Sequence, residues 1–168
     1  MYIIILVNKI LRALQRIKQR LAYLEYQQLY GIEDPSFLRG FDINLYGDGK
    51  IKVGRRSYIG DRSSICAASN TVVSVGDDCA ISHNVRIYTT NRKPKFFITE
   101  EGEGFSMGNV SIGHKVWIGC NCVILEGTVI GDKCVVGANS VVKGIFPPKS
   151  IIVGIPAKIV KSYAQKLD

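Results

Sequence analysis

The chain has 168 residues, of which 46% are hydrophobic, and it carries 22 Lys+Arg against 14 Asp+Glu. This length and apolar content fit one folded domain and exclude a disordered chain. No segment approaches the ~20 apolar residues of a membrane span, and the apolar opening, residues 1–7, lacks the flanks of a signal peptide. Five cysteines without metal-ligand spacing indicate neither a disulfide framework nor a zinc site, which favours the cytoplasm.

Residues 1–30 have the pattern of a basic amphipathic helix. Five bases and no acid fall within residues 1–24, but no base-reading or stacking motif for nucleic acid accompanies them. Two interpretations of the apolar stripe stay open. In the first it has a function, as an anchor at the inner face of the membrane or as a lid over a partner. In the second it packs on the rest of the protein or on a neighbouring subunit. The stripe consists of Val7, Ile10, Leu11, Leu14, Ile17, Leu21 and Leu24.

After residue 40 the apolar residues follow a six-residue period, which fits neither an α-helix nor an alternating strand. A six-residue repeat is one short strand plus a turn, and three such units close one triangular coil of a β-solenoid. We therefore predict a mainly β fold whose inward-pointing anchors share one core. The twelve anchors are Val53, Ile59, Ile65, Val75, Ile81, Ile87, Ile112, Ile118, Ile124, Ile130, Val136 and Val142.

Small or β-branched residues stand four places after most anchors. Three of the five cysteines, Cys79, Cys122 and Cys134, occupy this inward position, where a free thiol packs as a small hydrophobe. Cys66 and Cys120 fall elsewhere in the repeat. We therefore predict a packing role for the first three.

Two interruptions break the period. Ten residues separate Ile65 from Val75, which predicts a small loop, and 25 separate Ile87 from Ile112, which predicts an extruded loop at about residues 91–109. Long loops in a compact repeat fold usually carry function. The predicted organisation is a helical segment at 1–34, the β-helix at 35–157, and a short C-terminal capping helix at 158–168.

Four segments resemble the hexapeptide-repeat acyltransferases, in the branch of the galactoside, maltose, capsule and lipopolysaccharide O-acetyltransferases. They are Val116–Gly119, Val136–Val142, Phe146–Pro148 and Gly154–Lys158. The similarity covers about residues 50–161 and implies a left-handed parallel β-helix. The N-terminal helix lies outside it.

The resemblance also implies a homotrimer that binds acetyl-CoA in the groove between two solenoids, without a metal, at an active site between adjacent subunits. By match, backbone groups at Gly119, Cys120 and Ala138 bind the pantetheine amides, and Trp117 lines the groove. Three lysines match positions near the nucleotide phosphates, which a lysine binds as a point charge. They are Lys143, Lys158 and Lys161.

Acyl transfer to a hydroxyl needs a base, and histidine suits this because its unperturbed pKa of about 6.5 lies near working pH. In the resembled family this histidine follows the strand matching Val85–Tyr88, where the present chain has Arg92, which cannot act as a base. The chain has two histidines, His83 and His114. Counting hexads places His83 in the column of the predicted pantetheine residues and His114 in another, so we predict His83 as the general base.

Four residues near this base are candidates for orienting it or binding the acceptor. Arg92 in particular suits an anionic acceptor, or it holds the extruded loop. The four are Asn84, Tyr88, Asn91 and Arg92.

The predicted function is therefore acetyl-CoA-dependent O-acetylation of a sugar hydroxyl by direct transfer, in surface polysaccharide biosynthesis. Two alternatives stay open: N-acetylation of an amino sugar or small molecule, and a catalytically silent acyl-CoA-binding trimer, which Arg92 favours. The same solenoid also occurs in metal-dependent carbonic anhydrases. Those enzymes need three histidines in their metal set, and this chain has two.

Overall fold

The computed structural model describes the backbone of residues 2–163 and the side chains from residue 4. An N-terminal helix, α1, leads into a three-sided parallel β-helix. Sheet A contains β1 (Asn44–Tyr46), β4 (Ser64–Cys66), β7 (Arg86–Tyr88), β12 (Val123–Ile124) and β15 (Val141–Val142). Sheet B contains β2 (Lys50–Val53), β5 (Val72–Val75), β10 (Val110–Ile112), β13 (Val129–Ile130) and β16 (Ile145–Phe146).

Sheet C forms the third side, and each coil passes through sheets A, B and C in turn. It contains β3 (Tyr58–Ile59), β6 (Ala80–Ile81), β11 (Trp117–Ile118), β14 (Val135–Val136), β17 (Ser150–Gly154) and β18 (Ala157–Ser162). The remaining elements are α1 (Tyr2–Tyr30), a 3-10 helix (Pro35–Leu38), β8 (Thr90–Arg92), α2 (Pro94–Thr99) and β9 (Phe105–Met107). The predicted triangular solenoid is confirmed.

The core is a stack of the predicted anchors. Eleven of the twelve are buried, and Val53 is half-buried in the first coils. The small inward positions are buried too, including Cys79, Cys122 and Cys134, which confirms their packing role. Burial raises the pKa of these three thiols, so they stay protonated at neutral pH.

The C-terminal segment differs from its prediction. Residues 158–162 belong to β18, which pairs antiparallel with β17, so the predicted capping helix is wrong over this range. The physical reason is the open edge of β17, since an unpaired edge strand leaves backbone N–H and C=O groups free. Residues 164–168 of the predicted helix lie outside the described residues.

Helix α1 caps the open end of the first coil through its tyrosines. The Tyr23 hydroxyl donates to the carbonyl oxygen of Gly40 at 2.8 Å and accepts from the Ile43 N–H at 3.0 Å. The Tyr30 hydroxyl donates to the carbonyl oxygen of Gly47 at 3.2 Å. The apolar stripe lies exposed, so the interpretation that it packs on the rest of its own chain is wrong.

An extruded hairpin replaces the turn between β7 and β10. Strands β8 and β9 pair antiparallel, and the short helix α2 lies between them. An ion pair between Lys93 and Glu103 at 2.7 Å closes its outer part. Within residues 2–163, no helix is both long enough and apolar enough to span a bilayer.

Candidate active site

Side chains at the corners of the triangle accept backbone N–H groups from the preceding coil. At the corner between sheets B and C, Asp77 Oδ1 accepts from the Arg55 N–H at 2.7 Å, and His114 Nδ1 accepts from the Asp77 N–H at 3.0 Å. Asp132 Oδ1 then accepts from the His114 N–H at 2.8 Å. We call such a series a corner ladder. It satisfies turn donors that would otherwise lack partners.

The corner between sheets C and A carries a shorter ladder. Asp61 Oδ1 accepts from the Phe41 N–H at 2.8 Å, and His83 Nδ1 accepts from the Asp61 N–H at 2.9 Å. The next two coils have Cys120 and Ala138 at this position, and neither provides a strong acceptor. The ladder therefore stops at His83.

Where the ladder stops, three backbone donors are left free. The N–H groups of His83, Cys120 and Ala138 donate no hydrogen bond within the part of the chain that the structure describes. We call these three groups the donor column. Stacked coils are about 4.8 Å apart, so the column presents evenly spaced donors along one edge of the solenoid. It suits an elongated ligand with several carbonyl oxygens.

Close backbone packing leaves no room for a side chain at position 119, next to the donor column. A Cβ atom on Gly119 would lie 2.6 Å from the backbone nitrogen of Ala138, so only glycine fits there. Trp117 lies on the adjacent outer face of sheet C with 56% of its surface exposed. The predicted lining residue is therefore beside the donor column.

Two of the predicted phosphate-binding lysines lie beyond Ala138 on the same face. Paired residues on neighbouring strands of sheet C form a row that begins at Trp117 in β11, crosses β14 and β17, and ends at Lys161 in β18. Lys158, also in β18, pairs with Val153 of β17 near the donor column. Both are exposed. His83 and these lysines thus mark opposite ends of this edge of the solenoid.

The imidazole of His83 is exposed, and a hydrogen bond at Nδ1 sets the tautomer of the neutral ring. Nδ1 accepts the Asp61 N–H, so the neutral ring carries its proton on Nε2 and presents a donor to solvent. The Asp61 carboxylate lies 3.8 Å from the same Nδ1. For His83 to act as a base, Nδ1–H must instead face this carboxylate, which leaves Nε2 free to take a proton.

Asn84 belongs to a ladder of turn residues. Its Nδ2 donates to Asn121 Oδ1 at 3.1 Å, and Asn121 Nδ2 donates to Asn139 Oδ1 at 3.2 Å. All three asparagines have positive φ, which asparagine tolerates better than most residues. Turn geometry therefore accounts for Asn84.

The other predicted acceptor residues lie at a different corner. Tyr88, Asn91 and Arg92 stand where β7 leads into the hairpin, so the width of sheet A separates them from His83. One chain does not bring the two groups together. A cavity of about 290 Å³ lies here, lined by Tyr88, Thr90, Asn91, Arg92, Phe105, Val123 and Leu125.

Arg92 is held between two aromatic rings. Its guanidinium carbon lies 5.2 Å from the ring centre of Phe97 and 5.1 Å from that of Phe105. Cation–π contacts of this kind fix the guanidinium plane. Its side chain donates no hydrogen bond within the described residues, so its fork of N–H groups is available to a ligand.

Lys143 lies at the hairpin corner and is tied to a carboxylate. Its ammonium contacts Glu126, a buried residue that also accepts from the Ser106 hydroxyl at 2.7 Å. Burial raises the pKa of Glu126, but the hydrogen bonds from Lys143 and Ser106 outweigh it and hold this pKa below its usual value. This pair anchors the hairpin, and it places Lys143 at a different corner of the triangle from Lys158 and Lys161.

Replacing Lys143 by methionine is expected to loosen the hairpin. A buried carboxylate would lose its charged partner, at a cost of about 1–3 kcal/mol after allowing for the solvent that reaches Lys143. Limited proteolysis within residues 93–104 should accelerate, while Lys149→Met, a surface control, should cleave at the wild-type rate. Equal rates in both variants would contradict the anchoring role.

The Glu126 anchor also sets a pH window. Because the folded-state pKa of Glu126 is lowered, the stabilisation that its carboxylate provides is fully present above about pH 4.3, the ordinary pKa of a glutamate, and is lost as pH falls through the lowered value.

Two residues of these sites, Glu126 and Asp61, were not predicted from the sequence. Asp61 could have been predicted, since the hexad count places it at the same corner as His83, one coil earlier.

Family models match two parts of the solenoid. The bacterial transferase hexapeptide (six repeats) matches residues 109–144, and the hexapeptide repeat of succinyl-transferase matches residues 50–89. The chain therefore belongs to the hexapeptide-repeat transferase family, and its fold is the predicted left-handed parallel β-helix.

Two similar proteins from Escherichia coli are named as O-acetyltransferases. The chain is 35% identical over 134 residues to the Escherichia coli protein WbbJ, named as an O-acetyl transferase of lipopolysaccharide biosynthesis, with 74% of this chain and 66% of that protein covered. It is 33% identical to galactoside O-acetyltransferase of Escherichia coli, over 69% and 55% of the two chains. The chain thus spans between half and two thirds of these relatives.

Solved structures share the fold. A galactoside acetyltransferase in complex with coenzyme A matches with a TM-score of 0.59 at 24% identity, over 86% of this chain and 80% of that one. The polySia-specific acetyltransferase NeuO matches with a TM-score of 0.62 at 26% identity, over 71% and 61%.

Proposed function

We propose that this protein is an acetyl-CoA-dependent O-acetyltransferase that acts on a sugar hydroxyl in surface polysaccharide biosynthesis. The observation that carries the proposal is the donor column of His83, Cys120 and Ala138, with an imidazole at one end and lysines at the other. Its spacing suits the amide carbonyls of a pantetheine arm. The names of WbbJ and galactoside O-acetyltransferase support the sugar acceptor.

Each residue of the groove has a defined task. The N–H groups of Cys120 and Ala138 bind amide oxygens, Trp117 packs against the arm, and Lys158 and Lys161 neutralise phosphates. Acetyl-CoA supplies the acetyl group as a reactive thioester.

His83 takes the proton of the attacking hydroxyl at Nε2, with Nδ1–H held by the Asp61 carboxylate. The new ester C–O bond forms as the thioester C–S bond breaks, and the imidazolium returns the proton to the departing CoA sulfur. The backbone N–H of His83 is placed to stabilise negative charge on the carbonyl oxygen. Asp61 is therefore a positioning residue. Its carboxylate lies 3.8 Å from Nδ1, and to reach it Nδ1–H must give up the hydrogen bond from the Asp61 N–H.

A trimer would complete the site. His83 and Arg92 lie at different corners of one chain, so they meet only if the hairpin of one subunit reaches the groove of the next. Cyclic symmetry repeats this contact three times. Sedimentation of the intact chain tests the oligomeric state directly.

The acceptor is anionic in this proposal. Arg92 offers a free, aromatically clamped guanidinium at the mouth of an apolar cavity, which matches a carboxylate on a sugar ring.

Arg92→Met is expected to raise KM for a carboxylate-bearing sugar by about 10- to 100-fold, because a charged hydrogen bond is lost. KM for a neutral sugar should stay within about twofold. Lys95→Met removes the same charge from the exposed surface of the hairpin and should leave both values unchanged. If Arg92→Met impairs neutral and acidic sugars equally, the residue holds the hairpin rather than the acceptor.

The proposed activity itself is tested by acetyl-CoA turnover with neutral, acidic and amino sugars. O-acetylation of one of them supports the proposal. Turnover confined to an amino group would identify the N-acetyltransferase alternative. CoA binding without turnover on these sugars and on membrane extract would identify a silent trimer.

A further inference from the structure

The apolar stripe of α1 faces away from the end of the solenoid. Tyr23 binds Gly40 and Tyr30 binds Gly47, at the two ends of β1, so α1 lies along β1 across the open end of the first coil. At roughly 100° per residue, the stripe falls on the opposite side of the helix from these tyrosines. Its seven residues are exposed by 47% to 62%. The stripe therefore forms an apolar base beneath the solenoid.

A basic cavity of about 620 Å³ lies beside this base, between α1 and the 3-10 helix. Its charged lining is Arg16, Arg20 and Arg39, and Leu24 of the stripe forms part of its wall. No acidic side chain lines it within the described chain. None of the three arginines makes an ion pair with another described residue. We call this space the arginine cavity.

Two carboxylates in this region are already engaged by backbone N–H groups. Asp34 accepts from the N–H groups of Ser36 at 2.9 Å and Arg56 at 3.0 Å. Asp61 accepts from the Phe41 N–H at 2.8 Å. The arginine cavity therefore keeps a positive charge that suits an anionic ligand.

We propose that this end of the solenoid docks on the surface of an anionic lipid membrane, with the stripe among the acyl chains and a lipid phosphate in the arginine cavity. Lys18 and Arg20 project at the two edges of the stripe. Bases in this position reach the headgroups while the aliphatic side chains enter the hydrocarbon boundary. Guanidinium groups bind phosphate oxygens with paired N–H donors.

A second copy of the chain fits the stripe less well than a lipid surface. Helix α1 holds five bases, and Glu25 is its one acid. Two stripes placed face to face would bring these bases together, and like charges at short range repel. Anionic headgroups supply the opposite charge instead.

The proposed trimer would strengthen this docking. If its solenoids stand side by side, the three α1 helices lie at the same end and their stripes point in the same direction. Contacts that are weak singly then act together on one surface. Vesicle binding is measured without substrate, so its failure leaves the acetyltransferase proposal untouched.

Co-sedimentation of the full chain with vesicles tests the proposal. Wild type should bind vesicles of phosphatidylcholine and phosphatidylglycerol at least about tenfold more strongly than vesicles of phosphatidylcholine alone, because only the former carry negative charge. High salt should weaken this binding. Wild type that stays in the supernatant with the anionic vesicles overturns the proposal.

A pair of leucine substitutions tests the stripe. Leu14→Gln with Leu21→Gln should weaken binding to anionic vesicles at least about tenfold, because less apolar surface leaves water. Ile98→Gln with Ile145→Gln is the matched control, since these side chains are exposed by 82% and 79% outside α1. Circular dichroism checks that α1 stays helical. Equal losses in the two pairs would contradict docking through the stripe.

A pair of arginine substitutions tests the cavity. Arg16→Gln with Arg20→Gln should reduce the preference for anionic vesicles by about 10- to 30-fold. Lys115→Gln with Lys133→Gln removes two exposed charges at the corner between sheets B and C and should keep the preference. Equal effects of the two pairs overturn the phosphate site. Assemblies larger than a trimer that form without vesicles and disappear in the leucine pair would assign the stripe to a second copy instead.

Discussion

An Ala138→Asp variant is expected to lose CoA affinity by about 10- to 100-fold while keeping its fold. The new carboxylate would accept the Cys120 N–H, as Asp132 accepts the His114 N–H at 2.8 Å in the neighbouring ladder. One donor of the column would then be occupied, and a negative charge would face the ligand. A charged hydrogen bond is worth about 1.5–3 kcal/mol, which sets the expected loss.

Calorimetric titration with CoA measures this loss, and thermal unfolding checks the fold. Asn139→Asp is the matched control, since it adds the same charge one residue further on. It preserves the acceptor for Asn121 Nδ2 and leaves the Cys120 N–H free. Wild-type affinity in Ala138→Asp, or an equal loss in both variants, would show that the donor column does not bind CoA.

The second large effect concerns His83. His83→Gln is expected to lower kcat by about 10²- to 10⁴-fold, the usual contribution of a general base. CoA affinity should change by less than about threefold, because the backbone N–H groups remain. Steady-state kinetics and CoA titration on the same preparation separate the two quantities.

Glutamine is chosen because it retains an N–H donor but cannot take a proton. His83→Gln would keep most of the activity if the ring acts only as the Nε2–H donor that the structure displays. His114→Gln is the control at the other corner, where the same Nδ1 interaction occurs far from the groove. It should retain full activity.

The solenoid was predictable because its cause is local and repeated. One buried anchor every six residues leaves few other folds, and Ile118, Ile124 and Ile130 lie buried as expected. The inward cysteines followed from the same count. The hairpin was predictable as a break in the period, although its internal helix was not.

Features that depend on neighbours across coils were not predictable. Nothing in the local sequence at Lys158 signals the open edge of β17 that turns this segment into a strand. Lys143 resembled a phosphate ligand until its contact with Glu126, 17 residues away in the chain, was visible. The tautomer of His83 depends on a hydrogen bond from Asp61, 22 residues away in the chain, and it could not be predicted for the same reason.

The gap between the two groups of candidate residues also required the structure. Hexad counting placed His83 beside the cofactor positions, but it did not show that Arg92 lies across the width of sheet A. This separation makes an intersubunit site the simplest way to use both groups.

Amide hydrogen exchange at the donor column tests the central claim most directly. The N–H groups of His83, Cys120 and Ala138 lack protein partners in the described chain and should exchange rapidly when the protein is free. Saturating CoA should protect Cys120 and Ala138 strongly, with little change at the His114 corner. Unchanged exchange at Cys120 and Ala138 in the CoA-bound protein would contradict the account.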